Sequence, residues 1–428
     1  MKGILQMIGI IVMITFLTSG CVKPGKPSGT IESEDEFQSA VVNVTILQEE
    51  GGRVSWLHAE NLIAFDKTGE DGYTDIFVTS LHGLHTECLA CDNPGVPQSH
   101  NGNPAWHPSG QYLVFQAEDP TLQGFSAPAG LEKYVTSPGM GINNNIWVMT
   151  ADGSKCWQLT HVKDHYGALH PHFSPDGTYL LWSEIISPQM DKIGHWAIKL
   201  ADFSTENGLI LENIRTLQPG NLQLYEVHGF SPDGEKILFS GVEEGGYYYD
   251  MEIYTMDLHT GGVTQLTDND EWDEHAHFAG DGRIVWVSSE GIPQPKGDSL
   301  QDTIANPPKL DYWIMNEDGS HKYRLSGFNH LDAPEYVAVP GSIGLGDFDW
   351  GPDGRMVAKM RRGYEEVIVL IEFDLERGIG MCCFCTMGYY GHSLPLGITI
   401  LGYWSLAYIS LIVYILQNRT QSLYGSLH

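Results

Sequence analysis

Short runs of apolar residues, followed by runs that alternate polar with apolar positions, recur along most of the chain. Residues 112–115 are a short apolar run, and residues 145–149 are an asparagine followed by aromatic and aliphatic residues. A shorter run, residues 158–160, then follows. A period of two indicates β-strands, and the lengths are those of strands rather than helices. The pattern therefore predicts an all-β protein.

A five-residue turn motif separates these runs. It consists of an aromatic residue followed by Ser-Pro-Asp-Gly or a close variant, and its copies begin at Trp106, Phe173, Phe230, Phe278 and Trp350, with a degenerate copy at Trp56. In Pro-Asp-Gly, proline presets φ, aspartate bonds locally and glycine accepts a positive φ. Each copy precedes the same order of strands, which predicts a six-bladed β-propeller of four-stranded antiparallel blades over residues 41–377. A β-sandwich is the alternative, and five recurrences of one motif argue against it.

The motif resembles the WD-like Pro-Asp-Gly repeats of the TolB-type propellers over residues 53–374. This resemblance implies the fold. It implies no single function, because such propellers occur in binding proteins, peptidases and polysaccharide lyases. The sixth repeat has no clear fourth strand, whereas residues 41–47 form a spare strand before the first repeat. We expect that strand to complete the last blade and remove an exposed edge.

The two ends of the chain differ from this repeat region. Residues 1–21 contain a lysine, an apolar run and Leu-Thr-Ser-Gly-Cys, which resembles a lipobox with Cys21 as the lipidated residue. An ordinary signal peptide or an uncleaved anchor is the alternative. Residues 22–40 are predicted to be a flexible tether. In the hydrophobic tail, residues 378–428, the uncharged stretch 394–416 is long enough for a transmembrane helix, although the tail is equally compatible with an out-of-frame or unselected extension.

These ends predict an exported lipoprotein anchored to a membrane of the cell envelope, either in the periplasm or on the outer surface. The net charge of −31 would repel phosphate backbones and argues against nucleic-acid binding. Among the seven cysteines, Cys88 and Cys91 form a C-x-x-C pair without a second such pair. In an exported protein this spacing favours a disulfide or a packed loop over a metal site.

Strand parity predicts which loops share a face of the propeller. The longest insertions all fall on the face opposite the Pro-Asp-Gly turns, at residues 119–142, 185–194, 242–249 and 291–309. Connections in compact domains are usually about 4–6 residues long, so these insertions indicate a functional rim. Variable decoration without a function is the alternative.

Histidine and aspartate residues precede the repeat aromatics at equivalent positions and are expected to face the central channel. Such groups converging from several blades are typical of a Zn²⁺, Mn²⁺ or Ca²⁺ site. The best predicted ligand set is His170, His275 and Asp347, with His172, His277 and Asp349 next. The alternative is that these side chains bond neighbouring blades and hold the ring together.

Further candidates for contacts with a ligand or partner are His100, Asn103, Glu226, His228 and Trp272. Trp272 is expected to lie exposed in a loop, where it would stack on a sugar ring; packing or a contact with a partner is the equal alternative. The His-x-His at residues 275–277 is similar to the channel metal motif of oligogalacturonate-lyase propellers. Trp272, however, stands where that motif has glutamine.

Two candidate functions are compatible with the sequence. No G-x-S-x-G, H-E-x-x-H, P-loop or dinucleotide-binding pattern is present, and no catalytic residue is assigned. The first function is a binding or scaffold module for a protein or glycan partner. The second is a metal-dependent, carbohydrate-active enzyme, related to polysaccharide lyases, that uses the channel histidines and aspartates.

Overall fold

The computed structural model describes residues 38–375, except residues 84, 123–131, 190–193, 207, 247–249, 295–307, 337, 339–342 and 352. The predicted lipobox with Cys21, nearly all of the tether and the hydrophobic tail lie outside the described residues. Within the described part, no helix is long and apolar enough to cross a membrane.

Six four-stranded antiparallel sheets follow one another along the chain, which confirms the predicted six-bladed, all-β propeller. Blade 1 contains β2 (Val54–Leu57), β3 (Leu62–Thr68), β4 (Thr74–Ser80) and β5 (Thr86–Cys88). Blade 2 contains β6 (Asn101–Trp106), β7 (Tyr112–Glu118), β8 (Asn144–Thr150) and β9 (Cys156–Gln158). Blade 3 contains β10 (Ala168–Phe173), β11 (Tyr179–Ser187), β12 (His195–Ser204) and β13 (Ile210–Leu217).

The remaining blades have the same strand order. Blade 4 contains β14 (Leu224–Phe230), β15 (Lys236–Val242), β16 (Glu252–Asp257) and β17 (Val263–Gln265). Blade 5 contains β18 (Asp273–Phe278), β19 (Ile284–Ser288), β20 (Asp311–Met315) and β21 (Tyr323–Arg324). Blade 6 contains β22 (Ile343–Trp350), β23 (Arg355–Arg362), β24 (Glu365–Phe373) and β1 (Val41–Gln48). Short helical turns occur at Glu132–Val135 and Pro219–Asn221.

The first strand of the chain closes the ring, as the sequence predicts. β1 pairs antiparallel with β24, and Val44 lies opposite Ile371 in that register. Blade 6 therefore contains strands from both ends of the described chain. This pairing also covers the edge that β24 would otherwise expose.

The repeated motif forms the turn between the first and second strands of blades 2 to 6. Its last residue has a positive φ in every copy, from 69° at Gly110 to 85° at Gly282. Glycine adopts this conformation without the steric cost that a Cβ atom would add. The turn therefore ends the first, innermost strand of each of these blades at the same place. As a result, the polar residues that precede the repeat aromatic lie at one level in successive blades.

Apolar clusters lie between adjacent blades. One cluster joins blades 5 and 6 around Tyr312, Phe348 and Met356, all of which are at most 1% exposed. Phe348 lies on the innermost strand β22, where its ring contacts those of Tyr312 and His277 at centroid distances of 5.3 and 4.7 Å. The aromatic ring of Phe348 therefore connects the apolar core between blades 5 and 6 to the channel.

We predict that Phe348→Ala will lower the free energy of unfolding by about 3–5 kcal/mol, because it removes a buried aromatic ring and leaves a cavity. Urea unfolding followed by tryptophan fluorescence measures the change. Tyr364→Ala is the control, since Tyr364 is 88% exposed, and its effect should stay within about 0.5 kcal/mol. Equal effects of the two substitutions would contradict the assignment of Phe348 to the core.

Candidate channel site

An irregularity in the innermost strands sets the direction of the channel side chains. In β6, β10, β14, β18 and β22 the pairing with the second strand shifts two to four residues before the repeat aromatic. Asn103, His170 and His275 lie at this bulge with φ of 52°, 54° and 46°. A bulge leaves an extra residue outside the ladder and turns its side chain. These three equivalent residues are therefore presented to the channel by the same local geometry.

At three of the bulges, a backbone N–H donates to a side chain of the preceding blade. The N–H of Asn103 donates to Asp66 Oδ2 at 3.0 Å, and the N–H of His170 donates to Gln116 Oε1 at 3.1 Å. The equivalent N–H, that of Val227, donates to Ser183 Oγ at 3.1 Å. The three acceptors occupy the same position on the second strands of blades 1, 2 and 3. Buried polar groups need such partners, so these bonds fix one blade to the next.

Charged side chains continue these connections through blades 3, 4 and 5. Nδ1 of His170 lies 3.0 Å from Oε1 of Glu226. Glu226 is in turn hydrogen-bonded to Glu274. Glu274 lies 3.3 Å from Nε2 of His275 and accepts a 2.7 Å hydrogen bond from the indole N–H of Trp272. Two carboxyl groups in contact are compatible with burial when one of them keeps its proton.

The same line of contacts crosses blade 6 and returns to blade 1. Nδ1 of His275 lies 3.5 Å from Oδ1 of Asp347, whose other oxygen lies 3.6 Å from Nε of Arg53. Arg53 also approaches Asp66 at 3.6 Å. Since Asp66 accepts the N–H of Asn103, polar contacts join all six blades around the channel.

A second contact between blades 6 and 1 involves Asp349. Its Oδ2 accepts the backbone N–H of Trp56 at 2.7 Å, and its Oδ1 lies 3.5 Å from Nε2 of His58. Asp349 was predicted as a second-tier metal ligand. In the structure it bonds the backbone of the neighbouring blade, as the alternative interpretation of these polar residues expects.

The protonation states follow from these contacts. Burial opposes the charged form of His275, but the carboxylates of Glu274 and Asp347 outweigh it and raise the pKa of His275 to about 9. Burial also opposes ionisation of Asp347, yet His275 and His170 hold its pKa well below the usual range. Burial and the neighbouring Glu226 raise the pKa of Glu274, whereas His170 outweighs burial and lowers that of Glu226. The channel wall thus carries charges of both signs at neutral pH.

Three channel histidines, His172, His228 and His277, are neutral at pH 7. Burial, reinforced by nearby imidazoles, lowers the pKa of His172 to about 3 and that of His277 to about 4, and it lowers the pKa of His228 well below the usual range. The ring of His277 lies 6.1 Å from that of His172 and 6.4 Å from that of His228. Blades 3 and 5 are not adjacent, so the first of these contacts crosses the channel.

The predicted metal set is brought together only in part. His275 reaches Asp347, whereas His170 pairs with Glu226, and the rings of His170 and His275 stack at 6.5 Å. Among the described residues, one group of three His, Cys, Asp or Glu residues has its ligand atoms within 4.8 Å of one another, and it lies in blade 1. Metal binding in the channel stays a prediction.

The additional candidates have different surroundings. Glu226 and His228 lie in the channel, and the side chain of Asn103 donates to Gln116 Oε1 at 2.8 Å. His100 is buried against blade 1, where its Nδ1 accepts the N–H of Thr74 at 3.2 Å. The expected exposure of Trp272 is wrong, because it is 8% exposed and its indole bonds Glu274. It does not offer a surface for stacking a sugar.

Sequence reasoning missed three residues of this site, Arg53, Asp66 and Gln116. Arg53 lies three residues before Trp56, which is the position that His170 occupies before Phe173. Asp66 and Gln116 are polar residues at matching positions of the second strands, each directly after the apolar run that begins the strand. Aligning all six repeats by position, rather than searching for metal-ligand types, would have identified them.

Comparison with known proteins gives similarities of fold. No family model matches the chain. An uncharacterized protein of Agrobacterium fabrum is 23% identical over 223 residues, and the match covers 52% of this chain and 57% of that protein. The putative TolB from Agrobacterium tumefaciens has a TM-score of 0.46 at 16% identity, covering 76% of this chain and 90% of the other.

The structural neighbours of this chain include TolB-like propellers. TolB from Acinetobacter baumannii has a TM-score of 0.43 at 15% identity, and the match covers 73% of this chain and 63% of that protein's chain. The β-propeller domain of the Trilobed protease from Pyrococcus furiosus has a TM-score of 0.41 at 14% identity, covering 76% of this chain and 80% of that domain. The resemblance predicted from the repeats concerns the fold alone. The strand pairing described above establishes that fold independently.

We predict opposite effects of pH from two histidines on one strand. The folded pKa of His277, about 4, is below the ordinary value of 6.5, so the unfolded chain binds more protons between pH 4 and 6.5. Stability due to His277 therefore falls as pH drops through this window. The folded pKa of His275, about 9, is above 6.5, so its contribution is complete below pH 6.5 and is lost as pH rises toward 9.

Urea unfolding free energies measured from pH 4 to 9 test both signs. His277→Gln should flatten the acid side of the profile, and His275→Gln should flatten the alkaline side. Each variant is the matched control for the other. His321→Gln is a further control, because His321 is exposed in the turn between β20 and β21. If both variants flatten the same side, the assignment of a neutral His277 and a charged His275 is wrong.

Proposed function

We propose that the chain is an exported, membrane-anchored propeller that binds a protein or glycan partner at its central channel. The observation that carries this proposal is a charged channel wall that remains partly accessible. The side chains of Arg53, His275 and Asp347 are 18%, 16% and 17% exposed, although contacts with neighbouring blades hold each of them. Positioned charges of both signs favour a polar ligand and lower the entropy lost on binding.

Several of the same groups also maintain the ring. Asp66, Gln116 and Asp349 accept backbone N–H groups of adjacent blades. A scaffold that presents a rigid binding surface requires such contacts, and these three side chains are already engaged in them. This distribution of roles favours binding over catalysis as the leading proposal.

A metal-dependent carbohydrate-active enzyme is the second candidate. It is favoured by the histidine rings that lie close to one another in the channel, with centroid distances of 6.1 to 6.5 Å. Burial keeps His172, His228 and His277 in the neutral form, which is the form that binds metals. Zn²⁺ or Mn²⁺ would suit such imidazole and carboxylate groups better than Ca²⁺.

We predict that the full chain in detergent will bind a member of a glycan array or a peptide library. His275→Ala should raise the dissociation constant of that ligand by about tenfold or more. The loss of one charge of a partly buried network is the physical reason. His321→Ala, on the opposite face, is the matched control and should bind normally. Full binding by His275→Ala would place the ligand elsewhere.

Metal analysis of the same protein, purified without chelators, separates the two functions. The binding proposal expects His275→Ala to weaken binding without turnover of the bound glycan or peptide. Stoichiometric Zn or Mn that disappears in His170→Ala and His275→Ala, together with cleavage of a polysaccharide, would replace it with the enzymatic candidate.

The anchor proposal rests on the sequence around Cys21 and needs its own test. We predict that cells given radiolabelled palmitate will incorporate label into the chain and that Cys21→Ser will remove it. The physical reason is that lipidation requires the thiol of Cys21. Cys156→Ser is the matched control and should label fully. Equal labelling of the chain with and without Cys21 would exclude lipidation at this residue.

A further inference from the structure

A separate cluster of chemically reactive groups lies in blade 1. Cys88, at the end of β5, forms a disulfide with Cys91, as the C-x-x-C spacing favours. Asp75, on the adjacent strand β4, lies 3.6 Å from the sulfur of Cys91 through its Oδ2. The two sulfurs and one carboxylate oxygen all lie within 4.8 Å of one another. No sequence pattern connects Asp75 with the C-x-x-C pair; the pairing of β4 with β5 brings them together.

We propose that reduction of the disulfide between Cys88 and Cys91 creates a binding site for Zn²⁺ or a similar thiophilic divalent cation, with Asp75 as the third ligand. Two thiolates and one carboxylate are ligands that Zn²⁺ accepts, and three protein ligands leave one position open for water. The site is independent of the channel and of its proposed function.

The loop geometry supports this site without the sulfur–sulfur bond. Leu89 and Ala90, between the two cysteines, are 6% and 1% exposed and belong to an apolar cluster with Ile76. The N–H of Leu89 donates to the carbonyl of Ile76 at 2.8 Å, and the side chain of Asn93 donates to the carbonyl of Leu89 at 2.9 Å. These contacts would hold both sulfurs near Asp75 after reduction.

The electrostatic surroundings favour a cation. Asp71 and Asp92 both act on Asp75 with negative charge. The backbone N–H of Cys91 donates to the sulfur of Cys88 at 3.0 Å, a contact that favours the thiolate. Cys91 is exposed, so a reductant and a metal ion both have access to it.

The chemistry balances with a small dithiol as the reductant. The dithiol gives two electrons and two protons to the protein disulfide, and its own sulfurs become joined in a disulfide. Both protein sulfurs are then thiols. Binding of the cation releases their two protons and forms two metal–sulfur bonds.

Cobalt provides a probe that reports sulfur ligands directly. The test uses the full chain in detergent with Cys21, Cys382, Cys383 and Cys385 replaced by serine, so that Cys88, Cys91 and Cys156 are the remaining cysteines. After reduction with dithiothreitol and its removal under argon, Co²⁺ should produce a sulfur-to-cobalt charge-transfer band in the near ultraviolet. Cobalt held by channel histidines gives no such band.

The expected results identify each ligand. The oxidised protein should show no band, and Cys91→Ser should abolish it in the reduced protein. Asp75→Asn should raise the dissociation constant of Co²⁺ by about tenfold or more. Cys156→Ser is the matched control and should leave both band and affinity unchanged. Circular dichroism checks that each variant is folded.

Three results would overturn the proposal. They are a reduced protein without the band, a band that Cys156→Ser removes, and an affinity that Asp75→Asn leaves unchanged. The comparison of oxidised with reduced protein uses one sequence. It therefore stays decisive even if a cysteine variant fails to fold.

Discussion

The antiparallel pairing of β1 with β24 is the interaction on which the rest of this structure depends. It joins residues near both ends of the described chain into blade 6 and places blade 6 against blade 1. The contacts of Arg53 with Asp347 and of Asp349 with the N–H of Trp56 cross this junction. Without closure these contacts between residues about 290 positions apart in the chain would not form, and removing a partner from a buried charge is costly.

A consequence of this closure is that stability and the proposed binding function depend on the same side chains. The channel contains Glu226, Glu274, His275 and Asp347 because ion pairs and hydrogen bonds across blade boundaries compensate for their burial. An apolar channel would be less costly to bury, and removal of one partner from a buried pair is destabilising. Contacts between blades do not by themselves require these charged side chains to be partly exposed. Their exposure is therefore consistent with the proposed ligand-binding role.

The fold and most of the candidate site were predictable, since each repeat carries its own local information. The motif beginning at Phe173 encodes a turn, and the short apolar run within residues 145–149 encodes a strand, without reference to the rest of the chain. The equivalence of His170 and His275 then follows from counting back to the aromatic. The pairing of His170 with Glu226, and the burial of Trp272, did not follow, because both depend on contacts with another blade.

The sequence by itself determined the number of blades, the closing strand and the level of the channel residues, because turn chemistry and period-two alternation are local properties, whereas cysteine spacing left a disulfide and a packed loop both open. Only the tertiary structure decided which side chains meet: Asp349 with the backbone of blade 1, His172 with His277 across the channel, and Asp75 with the two cysteines of β5 and its loop. The physical reason is that side-chain partners, burial and pKa values depend on distances between segments far apart in the chain. Those distances exist only after the ring has closed.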